Sequence, residues 1–305
     1  MAERDPRRRS AAREQEAAPL FSEGERMFYD QDHDTEYQKK GRRKGRKKHS
    51  GSDILYTVAI IIFALIFLVS GGMLLKRYLD DRQLESDMAE LSSLIDDTAA
   101  TGESDAAEDN SAKFARLLER NADFIGWISI EGTNLDYPVM QTGTDRTDYY
   151  LRRDFNGEYD NYGTPYLDED CTLGADGQSS NLIIYGHNMK TGTVFGSLTG
   201  YKEASYYDEH PLIQFDTLYG DGSYEVFAAF PIGIDTASTE FPYNQSYYID
   251  MDEQHFNDFI SQVKSRSTVD SGITPVYGDQ LLTLSTCEYS VGDGRFVVCA
   301  RKVEG

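Results

Sequence analysis

Cysteine is scarce in this chain: three residues among 305, Cys171, Cys287 and Cys299, at no regular spacing. An odd, scattered set excludes a disulfide framework and carries no cysteine-rich metal signature. Histidine is scarce too, at five residues, so imidazole chemistry has few candidates. Positive charge is scarce where nucleic acid would need it. The net charge is −22, unevenly laid down: residues 1–53 hold 14 Lys/Arg against 11 Asp/Glu, and the remainder holds 16 against 41. A globular portion that acidic excludes binding of nucleic acid through a basic face. Long apolar runs are absent as well, with one exception.

The exception is residues 54–75, without a charge. At about 1.5 Å rise per residue such a helix spans the roughly 30 Å hydrocarbon core of a bilayer. The basic block KKGRRKGRKK at 39–48 precedes it. Alone, that block reads as a nuclear signal or nucleic-acid patch; beside an apolar span it reads as a positive-inside flank. Only Lys76 and Arg77 follow the span directly. The expectation is a single-pass type II protein: a cytoplasmic, disordered tail over 1–53, an uncleaved signal anchor over 54–75, and the acidic portion outside. Residues 78–95 have helical spacing and read as a short stalk, and 96–111, acidic and rich in small residues, as a flexible linker. Residues 76–111 thus separate the anchor from a domain over 112–305.

That domain opens with a short amphipathic helix at Phe114, Leu117 and Leu118. Short β candidates follow at 124–130, 137–141, 164–167, 181–185, 213–216, 224–230, 280–285 and 295–302, punctuated by Gly, Asn and Asp. Their spacing and their Tyr, Phe, Val and Ile content predict a mainly β barrel or sandwich. One helix interrupts them at 251–265, with Phe256, Phe259, Ile260 and Val263 on one face and Asp250 as the candidate N-cap.

The chemistry gathers at strand ends. The apolar run Leu281-Leu282-Thr283-Leu284-Ser285 leads into Thr286-Cys287-Glu288. A thiol at the end of a rigid strand is held in place with its tip reachable, as nucleophilic catalysis requires. A glycine-bearing turn over 290–294 and the strand from Arg295 follow, so a hairpin returns a guanidinium beside the thiol. The competing reading is a small core hydrophobe and a solvated arginine. A base comes from His187, which follows the strand 181–186 and opens a loop. His33 and His49 fall in the tail, His210 in a polar loop and His255 on the helix. Tyr185 and Ser285 each stand two residues before a chemical group and share its strand face, making them candidate substrate contacts; Glu288 is a candidate for shaping the groove. Cys299 reads as core, and Cys171, in a polar loop, receives no role.

Three segments, Tyr185-Gly186-His187-Asn188, Thr283-Leu284-Ser285-Thr286-Cys287 and Arg295-Phe296-Val297-Val298, resemble the signature segments of sortases. The YGHNMKTGTVFGSL stretch, the helix before the cysteine strand, and Gly126-Trp127-Ile128 with Asp136-Tyr137-Pro138-Val139 are similar to class B sortases, over about residues 112–304. The resemblance implies an eight-stranded β-barrel on the outer face of a Gram-positive-type membrane. It implies a cysteine transpeptidase without cofactor or metal. Cys287 would be nucleophile, His187 acid and base, and Arg295 oxyanion donor. Its partners would be surface proteins bearing a C-terminal sorting signal cut after Thr, and an amine acceptor from peptidoglycan or a pilin. Where the family has a substrate-contacting Asn, three residues before Tyr150, this chain has Thr147. A membrane-anchored cysteine hydrolase and a non-catalytic wall-binding domain remain as alternatives. L,D-transpeptidases also combine Cys, His and Arg, but their SHGCxR-like signature is absent here.

Overall fold

The computed structural model describes residues 51–95, 110–233, 241–288 and 294–303. Helix α1 runs unbroken over Gly51–Ser92. It is the one helix among the described residues long and apolar enough to cross a membrane. The expected span and the expected stalk helix are therefore one element. The C-terminal part of α1 also packs onto the domain rather than standing free. Leu84 and Leu91 are buried, the Tyr162 hydroxyl donates to Asp81 at 2.5 Å, and Arg120 pairs with Glu90 at 2.6 Å. Apolar contacts of the packed core thus reach back to Leu84 and Leu91 of α1. Most of the linker, 96–109, lies outside the described residues.

Short helix α2 (Ala115–Arg120) precedes β1 (Phe124–Ser129), β2 (Asp136–Met140) and β3 (Tyr166–Leu167). A two-stranded ribbon, β4 (Leu173–Gly174) with β5 (Gly177–Gln178), leads to β6 (Asn181–Tyr185). After helix α3 (Ala204–Glu209) come β7 (Leu212–Thr217) and β8 (Ser223–Gly233), then helix α4 (Glu253–Arg266), β9 (Leu281–Glu288) and β10 (Gly294–Val303). Eight strands close a barrel in the order β1-β2-β3-β6-β9-β10-β8-β7. Pairing is antiparallel except for β2 on β3 and β6 on β9. The architecture is the expected eight-stranded barrel rather than an open sandwich. The expected strand at 164–167 shortens to Tyr166–Leu167. The β4–β5 ribbon, α3 and 3-10 turns at Tyr149–Arg152 and Gly196–Lys202 were not anticipated, because such short segments carry little periodicity.

Alternation explains the apolar runs of β9 and β10. Leu282, Leu284, Phe296, Val298 and Ala300 fill the barrel interior. Leu281, Val297 and Cys299, on the opposite face, pack beneath α4 against Phe256, Phe259, Ile260 and Val263. Strands buried on both faces lose the polar half of their pattern. At α4 the N-cap is Asp252, which accepts from His255 N–H at 2.8 Å, and not Asp250, whose carboxylate instead accepts from Ser179 and Ser180. Lys264 and Arg266 close the last turn, where cations complement the helix dipole. A third apolar cluster joins Leu91 of α1 to Phe114, Leu117, Phe124 and Phe155.

Candidate active site

Three neighbouring strands carry the candidate residues to one end of the barrel. Tyr185 lies opposite Ser285 in the parallel β6–β9 register, and Gly186 N–H donates to Ser285 O at 3.1 Å. Arg295 lies directly opposite Cys287 in the β9–β10 hairpin. Because cross-strand partners share a face, Cys287 and Arg295 lie on the outer face, the one that α4 covers farther along the strands. At their ends that face opens into a groove of about 800 Å³. Tyr185, His187, Ser285, Cys287 and Arg295 line it, together with Thr147, Asp148, Leu151, Tyr166 and the run Asp168, Glu169, Asp170 from one stretch of chain, and Pro242, Tyr243, Asn244, Gln245 and Tyr247 from another.

The sulfurs sort by burial. Cys171 and Cys299 are buried, and burial pushes each thiol up to about 12, far from the thiolate form. Cys287 is partly exposed and lines the groove. Cys171, assigned to a polar loop from sequence, packs into the barrel core beside Ile183, whose N–H points at its sulfur at 3.5 Å.

His187 Nε2 lies 2.7 Å from Leu151 O. A carbonyl only accepts, so Nε2 carries the proton in the neutral ring, leaving Nδ1 as the basic nitrogen. Burial holds the His187 pKa below its ordinary 6.5; the Leu151 bond opposes this, and the charges of Arg152 and Arg295 add to it. The loop after His187 returns at once, with Phe195 N–H donating to His187 O at 3.0 Å. Gly186 is required there, because a Cβ would stand 2.7 Å from the Phe195 ring.

The four substrate-contact candidates fare differently. Tyr185 donates to Asp168 at 2.7 Å and stacks near Tyr166, ring centres 5.5 Å apart. Burial raises its hydroxyl pKa and that of the Asp168 carboxyl. Ser285 is 1% exposed and its hydroxyl is bonded to Tyr243 OH at 2.7 Å. Thr147 is exposed on the rim. Glu288 ends β9, and its side chain lies outside the described residues, as do residues 289–293. Sequence reasoning passed over Leu151, Asp168, Tyr243 and Asn188. The first acts through its backbone carbonyl, which no side-chain pattern reports. Among the described residues no group of three or more His, Cys, Asp or Glu is arranged to hold a metal ion.

The barrel and its thiol-bearing groove define a cysteine-dependent enzyme, and the family it matches is one of cysteine transpeptidases. The family model for the sortase domain matches residues 128–303, and the chain belongs to the sortase family. Sortase B of Staphylococcus aureus is 29% identical over 250 residues, covering 81% of this chain and 96% of that protein. Sortase B of Listeria monocytogenes is 30% identical over 217 residues, covering 69% and 84%. The solved S. aureus sortase B–substrate complex superimposes with a TM-score of 0.63 at 29% identity, covering 74% of this chain and 99% of that one.

Proposed function

We propose that this chain is a membrane-anchored class B sortase, type II in orientation. In this reading 1–53 are cytoplasmic, 54–75 span the bilayer, and the domain downstream of the 76–111 segment works outside the cell. Neutral His187 takes the proton of the Cys287 thiol as the sulfur attacks the carbonyl of a Thr in a C-terminal sorting signal. Arg295 donates hydrogen bonds to the oxyanion that develops. His187 protonates the departing amine as the C–N bond breaks, leaving the Thr acyl group as a thioester on Cys287. An incoming amine, from a peptidoglycan precursor or a pilin lysine, gives its proton to His187 and displaces the Cys287 thiolate. Tyr185, Ser285, Thr147 and Glu288 are the candidate contacts to the peptide in this reading.

One observation carries this reading: β6, β9 and β10 are neighbours, so imidazole, thiol and guanidinium border one groove. That the S. aureus relative forms a sortase B–substrate complex supports reading the groove as a substrate site. The test uses the full-length chain in detergent and a pool of fluorogenic hexapeptides with Thr fixed at the fourth position, with and without triglycine as amine. Cleavage after Thr, a glycine-extended product, and loss of both in Cys287→Ala are expected. Cleavage with water as the only acceptor, in the presence of triglycine and of a lysine-bearing peptide alike, would make the chain a hydrolase. A membrane-impermeant thiosulfonate should label Cys287 in intact cells; labelling only after lysis would reverse the orientation.

A further inference from the structure

The ladder between β6 and β9 ends just short of the chemistry. Its register stops at Tyr185 opposite Ser285, after which 187–196 leaves the sheet while Cys287 remains in β9. A side chain carries the connection one step farther. Asn188 Nδ2 lies 2.7 Å from the main-chain O of Cys287, and since a carbonyl only accepts, the amide N–H is the donor. The residue next to the imidazole is thus tied to the peptide of the thiol.

The loop that presents Asn188 is itself fixed. Asn188 bridges Val194 across the loop. Val194 is fully buried at φ 53, a left-handed conformation rare for a β-branched residue. Such a conformation persists where its surroundings over-determine it. Gly196 sits so close to Met189 that a Cβ would lie 2.3 Å from its carbonyl oxygen. Both features constrain the path of the loop, and its Asn188 end is bonded to the nucleophile strand.

We propose that Asn188 is a positioning residue, whose amide bridge sets the separation of His187 from Cys287 in place of a further backbone rung. This rests on the reading of Cys287 and His187 as nucleophile and acid–base group. Asn188 does not touch substrate in this role; it acts through the Cys287 peptide and the neighbouring imidazole. Proton transfer needs heavy atoms within about 2.6–3.2 Å, directly or through one water, and a misplacement of about 1 Å costs about 100-fold in rate.

The test uses the full-length chain in detergent and the best-cleaved peptide of the threonine-fixed pool. For Asn188→Ala, acylation kcat should fall about 100-fold, with KM changed less than about twofold and the melting temperature within a few degrees of the parent. Asn188→Gln keeps a primary amide and should recover part of the rate. Asn188→Asp is read against pH. A carboxylate repels the Cys287 carbonyl, whereas a protonated carboxyl donates to it, so the Asp-to-parent activity ratio should rise as pH falls from about 7 to about 5. An Asn188→Ala enzyme with near-parental kcat, a loss confined to KM, or a flat Asp ratio across pH would each overturn the proposal. Should Asn188→Ala not fold, the slope of the Asp ratio decides alone. Cys287→Ala and His187→Ala run in parallel. Activity in either removes the site reading and this proposal with it, whereas inactivity in both beside a fast Asn188→Ala removes only the role of Asn188.

Discussion

Replacing Gly186 with Ala probes how tightly the groove is built. The added methyl would lie 2.7 Å from Cγ and Cδ2 of Phe195 and 3.1 Å from Cδ1, against an ordinary carbon–carbon contact of about 3.5–4 Å. Something must therefore move by close to 1 Å. Phe195 is fully buried in the barrel core, and well-packed cores resist such shifts. Overpacking of this kind costs about 1–3 kcal/mol, or about 2–4 °C in melting temperature per kcal/mol for a domain of this size. Because Gly186 joins Tyr185 to His187, part of the displacement falls on the imidazole, and a shift of about 1 Å lowers kcat/KM about 100-fold. Urea titration gives the stability change, and turnover of a threonine-fixed fluorogenic peptide gives the kinetic one. The double variant Gly186→Ala/Phe195→Ala removes Cγ and both Cδ atoms that obstruct the methyl and should recover stability relative to the sum of the single changes, a coupling that a double-mutant cycle measures. A Gly186→Ala enzyme as stable and fast as the parent, or a double variant whose losses simply add, would refute the steric reasoning.

Arg295→Lys keeps the charge but loses the planar fork; if Arg295 holds the oxyanion, peptide cleavage should fall by about 100- to 1,000-fold, and near-parental turnover would take it out of that role. Burial holds the His187 pKa below 6.5, with Arg152 and Arg295 pressing the same way. The acid limb of kcat/KM should therefore lie below pH 6.5, and Arg152→Gln should move it upward; a limb at or above 6.5 in the parent contradicts the burial argument. The sign for stability follows from the same shift. The unfolded chain takes up the imidazole proton first as pH falls, so the contribution of neutral His187 is fully present above about 6.5 and is lost as pH drops toward the lower folded value. His187→Gln should flatten that part of a stability–pH curve measured by denaturant titration.

Much of the groove was legible because apolar periodicity reports burial locally. The face of α4 formed by Phe256, Phe259, Ile260 and Val263 is spaced as a helix requires, and all four are buried. Arg295 opposite Cys287 follows from the few residues that separate two apolar strands, since a hairpin brings near neighbours together. Where two candidates of equal chemistry stand close, pattern does not choose: Asp250 and Asp252 both cap well. Asp252 caps the helix, while Asp250 meets Ser179 and Ser180, partners about 70 residues away. The continuity of α1 was obscured for a related reason. The apolar run stops at Leu75, but nothing at Lys76 or Arg77 breaks a helix, and Leu84 and Leu91 find the domain core.

The sequence by itself determined the apolar anchor candidate, the acidic β-rich domain and the side chains able to do acyl-transfer chemistry, because hydropathy, charge and residue type are carried by each residue. Only the tertiary structure decided that β6 lies parallel to β9, that the Leu151 carbonyl sets the tautomer of His187, and that Asn188 reaches the peptide of Cys287. Those contacts join residues separated by 36 to about 100 positions along the chain. Their selection depends on all eight strands closing the barrel in one register, a condition no local stretch contains.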